Sequence, residues 1–318
     1  MLDQYGRKIN YLRVSVTDLC NLRCIYCMPA GGVTKKERRE LLTFEEIENI
    51  VRAAAQMGVD KVRITGGEPL VRKGIVELVD RLARIDGIED LSMTTNGILL
   101  KDCAAPLKEA GLKRVNISLD TLDPDKYHRI TRRGHLADVL AGMEAARAVG
   151  LTPIKVNVVL VGGLNDDEIE DFVNLTLREE IQVRFIELMP LGEAGHWERS
   201  AFLPTEEVLR RVPQLIPLAV KGHGTVARLY QLPHGKGQVG LISPLSNHFC
   251  QYCNRLRVTP DGKLKSCLHS SQEINLKNVP PEELPGLLAE GIRGKPHRHY
   301  LSATNGSLTH RNMNEIGG

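Results

Sequence analysis

The chain has 318 residues, of which 42% are apolar and 25% charged, and its formal net charge is +3. This composition is typical of a globular protein with one large domain or two, and the small net charge argues against bulk binding to nucleic acid or membrane. No apolar run approaches the ~18 residues of a membrane span. The first ten residues lack the apolar core of a signal peptide, which favours a cytoplasmic location. Any anion site must therefore come from a few placed Lys and Arg residues.

Strand-like and helix-like segments alternate over the first two thirds of the chain. The predicted strands are 12–16, 61–65, 91–95, 114–119, 154–160 and 183–188. The predicted helices are 43–56, 74–85, 102–110, 135–149 and 166–179. Such alternation indicates an α/β fold with a parallel sheet, either doubly wound or an incomplete (β/α)6 barrel similar to a TIM barrel.

Alternate residues along five of these strands are polar, and this pattern favours the partial barrel. Residues two apart share one face of a strand, and parallel strands covered on both faces should be nearly all apolar. A single Lys on such a face would be explained by a solvated edge, but five strands repeat the pattern. Converging cations would repel one another unless an anion met them, so we expect a wet interior that holds a polyphosphate. The cations on these faces are Arg13, Lys61, Arg63, Arg114 and Lys155.

The pattern changes after residue 200. A helix is predicted over 204–212, antiparallel hairpins over the Gly-rich stretch 221–244, and a further helix over 281–292. We place a boundary near residue 200, with a partial barrel in 1–200 and an α+β region in 201–318 that closes the barrel.

Six of the seven cysteines form two triplets. They are Cys20, Cys24 and Cys27 near the start, and Cys250, Cys253 and Cys267 near the end. Three thiolates can hold three corners of a [4Fe–4S] cube and leave the fourth iron open. Zinc is the alternative; the first triplet has no nearby His, but His248 and His269 flank the second and keep a Cys3His site open there. Cys103 is expected to be a buried packing residue.

The first triplet follows the first strand, and the sequence GGEP at 66–69 follows the second. Carboxyl ends of parallel strands meet at the same mouth of a barrel. The C-x3-C-x2-C spacing, the aromatic Tyr26 before the last Cys and GGEP together resemble the radical S-adenosylmethionine superfamily. This resemblance implies that Cys20, Cys24 and Cys27 bind a [4Fe–4S] cluster whose open iron is chelated by S-adenosylmethionine. It also implies reductive cleavage of that cosubstrate to a 5′-deoxyadenosyl radical.

Further motifs resemble one family within that superfamily, the GTP-cyclising lyases of molybdenum-cofactor biosynthesis. They are VNISLD, RFIELMP, FCQYCNRLRVTPDGKLKSCL and the terminal Gly-Gly. The resemblance implies conversion of GTP to 3′,8-cyclo-7,8-dihydro-GTP in the first step of that pathway. It also implies a second [4Fe–4S] cluster on Cys250, Cys253 and Cys267, whose open iron binds the guanine of GTP.

The same resemblance assigns individual residues. Contacts to S-adenosylmethionine fall on Tyr26, Gly67, Ser118 and Met189. Contacts to GTP fall on Arg13, Lys61, Arg63, Thr94, Lys155, Arg184, Arg255 and Arg257. Catalytic roles fall on Arg255, Arg257, Gly317 and Gly318. Arg184 lies on the strand face opposite Met189 if strand six is regular, so a bulge or strand end must separate them.

The implied partners are GTP, a flavodoxin- or ferredoxin-type electron donor and a downstream cyclic pyranopterin monophosphate synthase. Nucleic acid and membrane are not expected, and a homodimer is compatible with the sequence. One rival is another two-cluster radical enzyme that acts on a peptide or small metabolite, although it would not need five barrel cations or a terminal Gly-Gly. The other is a non-catalytic zinc or iron–sulfur regulator, disfavoured because no basic stripe or DNA-binding helix is found.

Overall fold

The computed structural model describes residues 1–34, 36–219, 226–301 and 306–317. Its strands are β1 Tyr11–Ser15, β2 Lys61–Thr65, β3 Asp90–Thr95, β4 Arg114–Ser118, β5 Lys155–Leu160, β6 Gln182–Glu187, β7 Ile216–Pro217, β8 Arg228–Gln231, β9 Gln238–Ile242, β10 Arg255–Val258, β11 Lys263–Lys265 and β12 Ile274–Asn275. Its α-helices are α1 Phe44–Gln56, α2 Ile75–Ala83, α3 Leu100–Glu109, α4 Pro124–Thr131, α5 Leu136–Ala148, α6 Ile169–Arg178, α7 Glu206–Arg211, α8 Leu284–Arg293 and α9 Met313–Ile316.

The strands form one sheet in the order β12-β11-β10-β1-β2-β3-β4-β5-β6-β9-β8-β7. Strands β1 to β6 lie in chain order and pair in parallel, as βα crossovers require. Two strands of the C-terminal region extend this core in parallel, with β10 beside β1 and β9 beside β6. The predicted partial barrel is therefore confirmed, and both of its edges are covered by segments from beyond residue 200.

The hydrophobic core lies between the outer strand faces and the helices. Val14, Val62, Ile64 and Val156 are each fully buried on the helix-facing side. Helix α1 illustrates how local sequence fixes its place: the Thr43 side chain accepts from the Glu46 amide, and a capping box starts the helix there. The polar residues that alternate with the apolar ones face the barrel interior, as the period-two pattern predicted.

Most sequence predictions match these elements closely. All six barrel strands fall within one residue of the predicted bounds, and the helices within three. Helix α4 was missed. The hairpin prediction over 221–244 is met by β8 and β9, which pair antiparallel, although residues 220–225 lie outside the described part.

Cys103 packs against the core but is only half-buried. The domain boundary near 200 stays a prediction. Among the described residues, no helix is long and apolar enough to span a membrane.

The buried carboxylate of Glu187 joins the end of β6 to the C-terminal region. It accepts hydrogen bonds from the backbone amides of Thr205 (3.2 Å), Leu245 (2.8 Å) and Ser246 (3.0 Å). It is 2% exposed. Because this one carboxylate accepts from the amide of Thr205 and from those of Leu245 and Ser246, it fixes the position of both later segments against the end of β6.

We predict that Glu187→Ala lowers the free energy of unfolding by ~2–4 kcal/mol, because it leaves several partly buried hydrogen-bond donors without an acceptor. Chemical denaturation monitored by circular dichroism measures this change. Glu170→Ala, at an exposed position of α6, is the control and should stay within ~0.5 kcal/mol of the parent. Equal effects of the two substitutions would contradict the anchoring role of Glu187.

Candidate active site

A cavity of about 550 Å³ occupies the barrel interior. With the exception of the terminal glycines, every site residue predicted from the sequence lines it. These residues are Arg13, Cys20, Cys24, Tyr26, Cys27, Lys61, Arg63, Gly67, Thr94, Ser118, Lys155, Arg184, Met189, Cys250, Cys253, Arg255, Arg257 and Cys267. The volume is in the range typical of small-molecule sites. The cysteine triplets, distant in sequence, thus open onto one space.

Strand register places the cations side by side. Arg13 of β1 stands opposite Arg63 of β2 and Arg257 of β10. Two residues earlier along β1, Tyr11 stands between Lys61 of β2 and Arg255 of β10. Neighbouring strands lie ~4.8 Å apart, so these charges form a compact block across three strands.

Burial and mutual repulsion shift the pKa values of these cations downwards. Burial, followed by Arg257 and Arg63, holds the pKa of Arg13 well below its usual range. Burial, then Arg184 and Arg114, lowers the pKa of Lys155 to about 6. For Arg184, burial and then Arg63 lower the pKa to about 9. Shifts of this sign reflect burial first and the neighbouring positive charges second, and a bound polyanion would oppose both.

Five buried polar atoms of residues that line the cavity have no hydrogen-bond partner within the described ranges. They are the Tyr11 hydroxyl, Thr94 Oγ1, Asn116 Nδ2, Asn254 Oδ1 and Asn314 Oδ1. Buried polar groups are rarely left unpaired in native proteins. Together with the cations, these atoms indicate that the cavity is built for a polar, anionic ligand.

The first cysteine loop lies between β1 and α4. The amides of Arg23 and Ile25 donate to the carbonyls of Thr131 and Ile130 at the end of α4, each at 3.0 Å. On its other side, the Gly67 amide donates to the Thr17 carbonyl at 2.7 Å, which brings the GGEP turn against the loop. Helix α4, which the sequence analysis missed, therefore supports the first cysteine loop.

The thiols of this loop fit a cationic metal group. Burial raises the pKa of Cys20 to about 11, and burial followed by Cys20 raises that of Cys27 to about 12. Within the described part of the chain, neither cysteine triplet brings its sulfurs within 4.8 Å of one another. A single tetrahedral zinc ion with bonds of ~2.3 Å needs sulfurs ~3.8 Å apart. As placed, the three sulfurs of the loop do not have the spacing of ligands to a single zinc ion.

The second triplet has a different electrostatic environment. Burial alone would raise the pKa of Cys253, but Lys295 and Arg255 lower it to about 6. Lys295 is itself held in place, because its ammonium donates to the carbonyls of Arg255 and Ser266 at 2.8 and 2.6 Å. His269, one of the two zinc ligands considered from sequence, lies outside the group formed by His248, Cys250 and His299.

The C-terminal tail enters the barrel. The Gly317 carbonyl accepts a hydrogen bond from the Arg257 guanidinium at 2.8 Å. Gly317 has φ of +91°, and a Cβ there would lie 2.4 Å from Thr65 Oγ1 and 2.8 Å from Ser15 Cβ. Both the conformation and the close approach require glycine. Gly318 lies outside the described residues.

Two details refine the sequence interpretation. Strand β6 ends at Glu187, and this strand end lets both Arg184 and Met189 face the cavity. Sequence reasoning missed several lining residues. Arg114 and Asn116 were placed on the polar face of the fourth strand but were assigned no ligand contact; no local signal marks Lys295 or His299.

The chain matches two family models. The model of the radical S-adenosylmethionine superfamily covers residues 14–176, and the Molybdenum Cofactor Synthesis C model covers 181–301. The chain is 54% identical to the GTP 3′,8-cyclase of Alkaliphilus metalliredigens (strain QYMF) and 50% identical to that of Moorella thermoacetica (strain ATCC 39073 / JCM 9320), with all of each chain covered. The chain belongs to the GTP 3′,8-cyclase family.

Solved structures show the same fold in more distant proteins. The chain is similar to Streptococcus suis SuiB bound to its precursor peptide SuiA, with a TM-score of 0.64 and 15% identity over 91% of this chain and 67% of SuiB. It is also similar to methylornithine synthase, with a TM-score of 0.53 and 17% identity over 65% of this chain and 62% of that one.

Family membership confirms the main sequence interpretation. The chain is a radical S-adenosylmethionine enzyme of the lyase class, and its superfamily brings a [4Fe–4S] cluster and S-adenosylmethionine as cofactors. The alternatives of a peptide-modifying radical enzyme and of a non-catalytic regulator are therefore set aside.

We predict that Gly67→Ala weakens S-adenosylmethionine binding on the order of 10-fold, because small displacements of a binding loop are costly. The added Cβ would lie 2.5 Å from the Leu19 carbonyl and 2.7 Å from that of Asp18. Equilibrium dialysis with the reconstituted enzyme measures the change. Gly31→Ala is the matched control, since no atom of the described residues lies within 4 Å of its Cβ position; a loss as large in this variant would contradict the packing argument.

Proposed function

We propose that this cavity cyclises GTP to 3′,8-cyclo-7,8-dihydro-GTP, with S-adenosylmethionine bound at the first cysteine loop and the triphosphate bound by the barrel cations. The observation that carries this proposal is that both cysteine triplets and the cationic block open onto one cavity. A nucleoside triphosphate is the polyanion that such a lining would neutralise, and the relatives that match over their full length are named for this activity.

Cys20, Cys24 and Cys27 would hold the first [4Fe–4S] cluster. These thiols are half-buried, and the metal would keep them as thiolates despite their raised pKa values. When bound, the cluster and S-adenosylmethionine would supply the radical chemistry for hydrogen-atom abstraction from the substrate. The cosubstrate would contact residues that surround the loop, namely Tyr26, Gly67, Ser118 and Met189. Tyr26 is oriented by its hydroxyl, which donates to Asp120 at 2.5 Å.

GTP would lie along the polar strand faces. The chain's part in this step is to bind and orient, so that the ribose faces the first loop and the guanine faces the second triplet. Thr94 offers an unpaired buried hydroxyl at this lining, and guanidinium groups bind phosphate oxygens through paired hydrogen bonds. The proposed GTP contacts are Arg13, Lys61, Arg63, Thr94, Lys155, Arg184, Arg255 and Arg257.

Cys250, Cys253 and Cys267 would hold a second [4Fe–4S] cluster beside the guanine. The openness of this triplet and the low pKa of Cys253 support this assignment. Arg255 and Arg257 stand between this triplet and the tail, because Arg257 binds the Gly317 carbonyl. We propose catalytic roles for Arg255, Arg257, Gly317 and Gly318, with the tail closing the cavity against water.

The wider context follows from the same reaction. The enzyme would take electrons from a flavodoxin- or ferredoxin-type donor and pass its product to a cyclic pyranopterin monophosphate synthase. This would be the first step of molybdenum-cofactor biosynthesis. A homodimer and a cytoplasmic location stay predictions from the sequence.

The test of this function is an anaerobic turnover with dithionite, S-adenosylmethionine and GTP deuterated at C3′. We expect 5′-deoxyadenosine that carries deuterium, and a cyclised product of GTP, by mass spectrometry. Cys24→Ala is the control and should form neither. Enzyme with its iron fully loaded that transfers no deuterium from GTP would refute the proposal.

A second prediction concerns the iron content. Anaerobic reconstitution should give about eight iron atoms per chain, as two cubes require, and Cys267→Ala should give about four. Cys103→Ala is the matched control, because Cys103 packs on the core between α-helices, and it should retain about eight. About four iron atoms in the parent enzyme would rule out the second cluster and leave the first unaffected.

A third prediction uses the pKa of Lys155, which is about 6 in the empty cavity. At pH 7.5 this amine is mostly neutral, and nearby phosphates favour its charged form. GTP binding should therefore take up about one proton more in the parent than in Lys155→Met. Below about pH 5 the amine is already charged, so this difference disappears.

Titration calorimetry in buffers of different ionisation enthalpy measures this uptake. Lys101→Met, at an exposed position of α3, is the control and should match the parent. Identical proton uptake by the parent and Lys155→Met would show that Lys155 does not meet the phosphates.

A further inference from the structure

Three histidines lie beside the second cysteine triplet. The His299 ring contacts the rings of His248 and His269, tilted against the first and edge-on to the second, at centroid distances of 4.6 and 4.9 Å. In the described ranges, one set of three metal-ligating atoms lies within 4.8 Å of one another, and it consists of His248, Cys250 and His299. This set shares Cys250 with the proposed second cluster but is otherwise separate from it.

The spacing within this set is that of a single metal ion. His248 Nδ1 and His299 Nε2 are 3.3 Å apart. Two nitrogens bonded to one tetrahedral zinc ion at ~2.0–2.1 Å are ~3.3–3.4 Å apart. Ligands on different irons of a cube are farther apart, because an iron–iron edge separates their bonds. Two imidazoles and one thiolate are also a ligand set that suits zinc.

A buried arginine holds this geometry without any metal. The Arg7 guanidinium donates to the carbonyl of Cys250 at 2.8 Å, and to those of Pro296 and His297 at 2.8 and 3.1 Å. Arg7 is itself paired with Asp3 at 2.6 Å, and both side chains are almost fully buried. The Cys250 turn and the segment that carries His299 are thereby fastened to each other, so two ligands are in place before the metal arrives.

We propose that His248, Cys250 and His299 form a zinc site that is filled when the second cluster is absent and that excludes the cluster. Zinc binding would release the thiol proton of Cys250 to solvent, would change no oxidation state, and would leave the fourth position to water.

The Leu301 amide donates to His299 Nδ1 at 3.2 Å. Zinc on Nε2 places the ring proton on Nδ1 and breaks this hydrogen bond, which gives a local signature. The zinc site stands on its own geometry, whereas the exclusion rests on the proposed second cluster.

The first test titrates Zn²⁺ into the full-length chain freed of iron, with a chromophoric chelator as competitor. We expect one tight site per chain, and X-ray absorption should show two nitrogens and one sulfur from the protein around the zinc. His248→Ala and His299→Ala should each weaken binding on the order of 100-fold. Nuclear magnetic resonance should show a shift of the Leu301 amide on zinc addition.

Two controls separate this site from the alternatives. Cys267→Ala removes a proposed cluster ligand and should leave zinc affinity unchanged. His269→Ala should also retain it, because His269 Nδ1 contacts the Ser307 hydroxyl at 3.1 Å and lies outside the set. Zinc bound by three sulfurs, zinc lost in Cys267→Ala, or no tight zinc site would each overturn the proposal.

The exclusion has a separate test. Zinc-loaded and zinc-free protein are reconstituted with iron and sulfide, and iron is counted in each. We expect about four iron atoms with zinc and about eight without it. Eight in both would overturn the exclusion alone, and because neither measurement uses turnover, the outcome is independent of the cyclase proposal.

Discussion

The mutual repulsion of buried cations is the constraint on which the rest of this structure depends. Arg13, Arg63 and Arg257 stand in one row across three parallel strands. Bringing like charges together out of water costs several kcal/mol unless an anion compensates. The fold tolerates this because the helix-facing sides of the same strands are fully buried, so the apolar core holds the barrel together while its interior remains cationic.

Closure of the barrel serves the same end. The first six strands leave two open edges, and β9 and β10 pair with them in parallel. Strand β10 brings Arg257 into register with Arg13 and Arg255 into register with Tyr11, and the second cysteine triplet flanks that strand in sequence. A segment from beyond residue 200 thus completes both the sheet and the site. Residues on both sides of the family-model boundary near residue 180 therefore line the same cavity.

The sequence predicted the features that repeat locally. Period-two alternation identified the inward-facing cations, and the C-x3-C-x2-C loop and GGEP marked one mouth of the barrel. Helix α4 was missed because it is short and has few apolar positions, although Asp123 followed by Pro124 is a signal for a helix start. The contacts of Lys295 and His299 were not predictable, because they come from chain segments that carry no periodic pattern and meet the site only through tertiary packing.

The spacing of ligand atoms decides which metal chemistry each triplet can support. Sulfurs that lie too far apart for one zinc ion still suit the corners of a cube, whereas His248 and His299 at 3.3 Å are spaced for a single ion. Cys250 belongs to both arrangements, and Arg7 holds its carbonyl against the segment that carries His299. Under the two proposals, zinc and the second cluster would compete for one thiolate. The outcome would depend on which metal reaches Cys250 first.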